Sequence, residues 1–210
     1  CLVWLAVSTF KLQQESGYPY ILNVDTANRE NPIPGKIVMS NLCSEILQSM
    51  KTSEFNEDLS YKKVGEDISC NLGSTNMVGM MKSGKDFGKS VANAVRALTF
   101  ITDDADIQLV PSVANGNKNN HTIGLGAMGF HTVLALNEVD YESEEAIEFS
   151  GLYFYLLNYY SLKESNKIAI ERNQSFKSFK ESDYYNGKYF DKYLENDFSP
   201  KLDKVKEAFK

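Results

Sequence analysis

Apolar residues along this chain recur at two spacings. From about Asp86 to Thr102, Phe87, Val91, Val95, Leu98 and Phe100 or Ile101 return near every third or fourth position, with Lys89, Asn93 and Arg96 between them. That spacing predicts an amphipathic helix whose role is packing. A second helix is predicted to start at Ser143, a capping residue followed by Glu144 and Glu145, and to run to about Arg172. Its broad apolar face, Ala146, Ile147, Phe149, Leu152, Tyr153, Leu156, Tyr159 and Tyr160, belongs in a core or an interface. By contrast, Ile68, Cys70 and Leu72 alternate with Ser69 and Asn71, the period-two pattern of a half-buried strand. Residues 1–16 read as the end of a helix, stopped by Gly17 and Pro19 and followed by an extended stretch to Leu22. Residues 23–36 are polar with Asn, Asp, Pro and Gly, which predicts a surface connection. Residues 49–63 read as a polar spacer, and Asn115 to Asn120 as an Asn- and Gly-rich loop. Further turn signals stand at Asn186-Gly187 and Ser199-Pro200, and neither a repeat nor a low-complexity tract is apparent.

Composition narrows the function classes. With 210 residues, 42% hydrophobic and 12% aromatic, the chain suits one ordinary globular domain with a sizeable core. A net charge of -6 argues against binding a nucleic-acid backbone, although a nucleotide pocket needs only local donors. Cysteines at 1, 43 and 70 do not make a secreted disulfide framework and suit a reducing, cytoplasmic setting. Leu2 to Ala6 is too short an apolar run to cross a membrane, and no basic segment precedes it as in a signal peptide. A chain that opens on Cys1 rather than Met reads as a piece of something longer.

Candidate chemistry centres on Ser40-Asn41-Leu42-Cys43-Ser44-Glu45-Ile46, which follows the helix-averse Asn31-Pro32-Ile33-Pro34-Gly35. An extended segment places Asn41, Cys43 and Glu45 on one side and Leu42, Ser44 and Ile46 on the other. An amide to orient a hydroxyl, a thiol and a carboxylate base form a plausible catalytic set, and a buried free cysteine is the bland alternative. Gly124-Leu125-Gly126-Ala127-Met128-Gly129 spells the dinucleotide-binding Gly-x-Gly-x-x-Gly, with Glu144 twenty residues on. Only His121-Thr122-Ile123 precedes it in place of a full strand, and no second strand follows at the expected distance, so the nicotinamide-cofactor reading is weak. Asp103, Asp104 and Asp106 read as a solvated acidic turn rather than a hard-metal site. His121 and His131 lack any zinc-type pattern and read as structural. The lysines among the aromatics of 176–198 permit single-strand stacking, but a comparable number of acids opposes a polyanion.

Longer stretches carry more information. Glu15-Ser16-Gly17-Tyr18-Pro19-Tyr20-Ile21, Asp25-Thr26-x-Asn28-Arg29, Asn31-Pro32-Ile33 and Met39-Ser40-Asn41-Leu42-Cys43-Ser44-Glu45-Ile46-Leu47-Gln48 occur in that order. They closely resemble the large (alpha) subunit of class Ib ribonucleotide reductase. Ile68-Ser69-Cys70-Asn71-Leu72-Gly73-Ser74 is similar to a further segment of that family, and so is the stretch from Pro111-Ser112 through His121 and Gly124 to His131. The resemblance covers about residues 13–209 and leaves 1–12 unmatched.

The resemblance implies a fold and a mechanism. The fold is α/β: part of a ten-stranded α/β barrel, with residues 37–48 as its finger loop and 64–210 as the start of the second half-barrel. Cys43 would be the thiyl radical that removes the 3′-hydrogen of a ribonucleoside diphosphate. Glu45 would take the 3′-hydroxyl proton, and Asn41 would hold the ribose against it, with Leu42 and Ser44 also at the substrate. Cys70 and an upstream cysteine, not Cys1, would end each turnover as a disulfide, reduced in turn by a thioredoxin- or glutaredoxin-like protein. The radical would come from a small (beta) subunit with a dinuclear metal and a tyrosyl radical. The glycines at 124–129 would serve close packing of a short barrel strand against its helix. A sulfur radical needs a water-poor site, where a carboxylate's pKa rises toward that of a useful base. The family's upstream half-barrel, downstream phosphate loop, C-terminal tyrosine pair and terminal cysteine pair have no counterpart here, so the chain alone is expected to be inactive. It would need the remaining alpha-subunit segments, and the complete alpha subunit is expected to be a homodimer. A non-catalytic subunit-interaction module is the alternative.

Overall fold

The structure is a computed structural model that describes residues 2–69 and 71–210. It divides into two compact units, residues 1–49 and residues 50–210.

The first unit holds helix α1 (Leu2–Ser16) and helix α2 (Val24–Arg29). The helix expected at the start of the chain is present and ends at Gly17, which takes φ +79° and donates its N–H to the Gln13 carbonyl. In the connection expected over 23–36, α2 is an element the composition did not suggest. Its Asn28 explains the departure. The Asn28 Nδ2 donates to the carbonyls of Val24 and Ile37, and its Oδ1 accepts from the Ile37 N–H at 2.9 Å. One side-chain amide therefore pairs with both backbone groups of Ile37, as a neighbouring strand would, and fixes the entry to the loop beyond it.

The second unit is helix-rich α/β. Strands β1 (Glu54–Phe55) and β2 (Tyr61–Lys63) form an antiparallel hairpin, and β3 (Leu72–Asn76) pairs in parallel with β4 (Gly124–Met128). Register runs from Leu72 opposite Gly124 to Asn76 opposite Met128. The strand expected around 68–72 thus begins at Leu72, and Cys70 lies outside the described residues. Between the paired strands run α3 (Met77–Lys82), α4 (Phe87–Asp104) and α5 (Pro111–Asn120). After them come α6 (Phe130–Leu136), α7 (Glu144–Arg172) and the short α8 (Asp183–Asn186), α9 (Asp191–Leu194) and α10 (Asp203–Ala208).

Both long helices follow their predicted periodicity. In α4, Phe87, Val91, Val95 and Leu98 are buried, but Thr102 takes the next inward position while Phe100 and Ile101 are exposed. In α7, Ser143 caps the helix by accepting from the Ala146 N–H, and Ala146, Phe149, Leu152, Tyr153, Leu157 and Ile168 face inward. Ile147 and Tyr159, expected on that face, are exposed. The two helices pack against each other and are tied by Arg96, whose Nε lies 2.5 Å from Glu164 and whose second arm reaches Glu171. The Tyr153 hydroxyl is 2.9 Å from Thr75 Oγ1, which joins α7 to β3.

The aromatics of 176–198 are occupied by one another and by α7. Tyr155 stacks on Phe198 at 4.1 Å, and Asn158 bonds the hydroxyls of Tyr189 and Tyr193. Burial first, and Tyr189 second, push the Tyr184 hydroxyl up to about 12. Among the described residues no helix is long and apolar enough to cross a membrane.

Candidate functional site

The loop that begins at Ile37 is not a plain extended segment. The Ser44 N–H donates to the Asn41 carbonyl at 3.0 Å, closing a turn over Leu42 and Cys43, and Ser44 sits at φ +61°. At the base of the turn, Ser40 Oγ donates to the Ile46 carbonyl at 2.7 Å and Asn41 Oδ1 accepts from the Ile46 N–H at 3.1 Å. Asn41 Nδ2 then donates to Glu45 Oε1 at 2.7 Å. Asn41 and Glu45 are thus brought together, as expected, but by folding the chain back rather than by alternation along a strand. Alternation fails because the Asn41 side chain captures the backbone at Ile46 and turns the chain, a common competition between asparagine and ladder pairing.

Cys43 is a free, exposed thiol at the tip of this turn, with exposed Leu42 and Ser44 on either side, and Glu45 is exposed too. Within their own unit, the described residues therefore do not give Cys43 the water-poor setting expected for a sulfur radical. One neighbour was not foreseen. Tyr18 and Tyr20 stack with ring centroids 5.0 Å apart. Hydrogen bonding with Tyr18 chiefly, then burial and the nearby Cys43 thiol, hold the Tyr20 hydroxyl above the ordinary phenol range. The Tyr-Pro-Tyr wording was visible in the sequence, but nothing in its spacing pointed toward Cys43.

In the second unit, the segment leading to Cys70 is gripped by α5, the helix that stands where a loop was expected over Asn115 to Asn120. Asn115 Nδ2 donates to the Gly65 carbonyl and Asn119 Nδ2 to Glu66 Oε1. The Asp67 N–H donates to the Ser112 carbonyl, and Gly116 lies so close that a Cβ there would sit 1.7 Å from the Asp67 carbonyl oxygen. Ser69 Oγ donates to Asn117 Oδ1 at 2.7 Å. The asparagines and glycine that look like loop composition are what a helix needs in order to hold a polar backbone segment along its side. Glu66 is buried with Lys51 and Lys177 at 2.9 and 2.8 Å. Burial raises its carboxyl, but the two lysines outweigh that and hold it below the ordinary carboxylate range.

The glycines of 124–129 lie mostly inside β4 rather than in a turn after a strand, and Gly129 alone takes φ +84° before α6. A Cβ on Gly124 would meet the Leu72 side chain at 2.4 Å, so the close approach expected against the following helix is made against the paired strand. A pyrophosphate cradle needs those glycines in the loop. Asp103 bonds Arg172 at 2.6 Å and lies 3.3 Å from His121 Nδ1, while Asp106 accepts from Gln108. Among the described residues, no group of three or more His, Cys, Asp or Glu is placed to hold a metal. An open hollow of about 680 Å³ beside Asp103, Lys118 and His121 includes no residue of the Cys43 loop.

Comparison with known proteins agrees with the wording of the sequence. The family model "Ribonucleotide reductase, barrel domain" matches residues 4–210. The chain is 48% identical over 202 residues to the ribonucleoside-diphosphate reductase subunit alpha of Mycoplasma pneumoniae, covering 95% of this chain and 28% of that relative. It is 42% identical over 200 residues to the subunit of the same name from Bacillus subtilis, again 28% of that protein. The chain thus spans little more than a quarter of the length of these relatives.

Proposed function

This chain belongs to the ribonucleotide reductase barrel-domain family, and from that premise we propose that it is the central part of a class Ib large subunit, reducing ribonucleoside diphosphates through Cys43. The observation that carries the reading is the turn at 41–45. It places an amide and a carboxylate in direct hydrogen bond, 2.7 Å apart, with an exposed thiol between them in the chain.

In this reading the Cys43 thiyl removes the 3′-hydrogen from the ribose. Glu45 takes the 3′-hydroxyl proton, and Asn41, already bonded to Glu45, orients that hydroxyl toward it. Leu42 and Ser44 line the same substrate face. The 2′-hydroxyl leaves as water and is replaced by hydrogen, after which Cys43 returns its hydrogen to C3′ and recovers the thiyl while Glu45 returns its proton to the 3′-oxygen. The two electrons and two protons come from two thiols, Cys70 and a cysteine elsewhere in the subunit, which end as a disulfide. A thioredoxin- or glutaredoxin-like protein then reduces it. The initiating radical comes from a small beta subunit with a dinuclear metal and a tyrosyl radical.

Exposure of Cys43 and Glu45 supports a need for the other alpha-subunit segments to exclude water. The β3–β4 pair, bonded only to each other among the described residues, supports a partial ten-stranded barrel. Residues 37–48 are then the finger loop and 64–210 the start of the second half-barrel. In this reading the complete subunit acts in the cytoplasm as a homodimer. The test is reconstitution: the complete large subunit containing this chain, mixed with the small subunit and a ribonucleoside diphosphate, forms deoxynucleotide. Cys43→Ser abolishes product, and product surviving that change overturns the proposal.

A further inference from the structure

The chain neighbours of Cys70 on both sides are tied to one amide. Ser69 Oγ donates to Asn117 Oδ1 at 2.7 Å, and Asn71 Nδ2 donates to the same oxygen at 3.3 Å and to Thr102 Oγ1 at 2.9 Å. Asn117 Nδ2 completes the set by donating to the Thr102 carbonyl at 2.7 Å. Thr102 and Asn117 are 1% and 7% exposed, and Thr102 Oγ1 donates to the Leu98 carbonyl, so the network is anchored in α4, with Thr102 and Asn117 buried and Ser69 and Asn71 half-buried. Past Cys70, the Asn71 carbonyl accepts from the Gly124 N–H at 2.9 Å, tying the same residue to the start of β4.

We propose that Asn117 is a positioning residue for the redox thiol of Cys70, acting through Ser69 and Asn71. This rests on the redox role of Cys70 given above. Generic core stabilisation does not require that one side chain hold the residues immediately before and after a reactive cysteine. A thiol that must meet a second cysteine and a substrate in turn gains most from neighbours held by a network with a buried centre, because small misplacements are costly in rate. The apolar course of α4 ends at Thr102, and the hydroxyl there is used by Asn71.

The experiment uses the complete reduced large subunit, with Cys43 as an internal reference. Alkylation of each cysteine by iodoacetamide is followed by mass spectrometry. In parallel, product formed in a single turnover without external reductant is measured with the small subunit present. Asn117→Ala changes the Cys70 alkylation rate about tenfold with Cys43 unchanged, and lowers single-turnover product by about tenfold with KM for the nucleoside diphosphate unaltered. Ser69→Ala, which removes one bond from a half-buried hydroxyl and leaves the fold intact, shifts both readings in the same direction by less. Combined with Asn117→Ala it adds nothing, because the two share one interaction. Parental Cys70 alkylation in folded Asn117→Ala and Ser69→Ala subunits overturns the proposal, as does an equal change at Cys43. A Cys70→Ser subunit with undiminished product overturns the redox reading and the proposal with it, and the alkylation rates tell the two failures apart.

Discussion

Single residues decide the geometry of the Cys43 loop. Asn41 accepts from the Ile46 N–H and donates to Glu45, so Asn41→Ala removes one of the two side-chain bonds to Ile46 at the base of the turn together with the partner of the carboxylate, while the backbone bond from Ser44 to Asn41 stays. Glu45→Gln keeps the hydrogen-bonding shape but loses the proposed base. Its expected effect in the complete enzyme is a fall in kcat of about a hundredfold or more with little change in KM, measured by deoxynucleotide formation. Ser44 at φ +61° occupies backbone space that β-branched residues avoid. Ser44→Val is therefore expected to open the turn and lower activity, whereas Ser44→Gly retains it. Asn41, Cys43 and Glu45 stand out as candidates from their residue types alone. Their arrangement was not, because alternation assumes a straight chain and a single asparagine side chain bent it.

At the scale of elements, α5 is the instructive case. Asn115 to Asn120 has the composition of a loop, and as an isolated segment its helix propensity is poor. Tertiary context reverses this: Asn115, Asn117 and Asn119, with Ser112 earlier in α5, hold the segment from Gly65 to Ser69, and Gly116 admits the Asp67 carbonyl. Gly116→Ala is expected to cost about 3 kcal/mol in urea unfolding, since a Cβ there meets backbone that cannot swing away. The same region carries a pH signature. Glu66 has a depressed pKa in the folded chain, so its stabilisation is complete above the unfolded-state value of about 4.3 and is lost as pH falls through the lower folded value. Glu66→Gln is expected to cost about 1–2 kcal/mol at neutral pH and to flatten stability against pH in the acid range, read from denaturant midpoints. The strand expected around 68–72 was misplaced in the sequence for a related reason: the polar contacts that govern 65–69 and Asn71 leave no trace in apolar periodicity.

At the scale of the whole chain, the long helices were legible because apolar spacing records which face is buried. Phe149, 1% exposed on α7, lies in the cluster with Val91, Val95, Leu134 and Tyr153. Phe149→Ala is expected to destabilise the second unit by about 3–5 kcal/mol, measured by guanidinium unfolding. Val3, Trp4, Val7 and Phe10 of α1 are exposed and leave apolar surface uncovered. Long ordered wording, rather than spacing, carried the family. The central claim is that Cys43 begins the reaction by removing the 3′-hydrogen. Turnover of a 3′-deuterated ribonucleoside diphosphate by the complete enzyme tests it most directly. The account predicts slower product formation than from unlabelled substrate, and none at all when Cys43→Ser is introduced. Equal rates for the two substrates, together with undiminished product from Cys43→Ser, would contradict it.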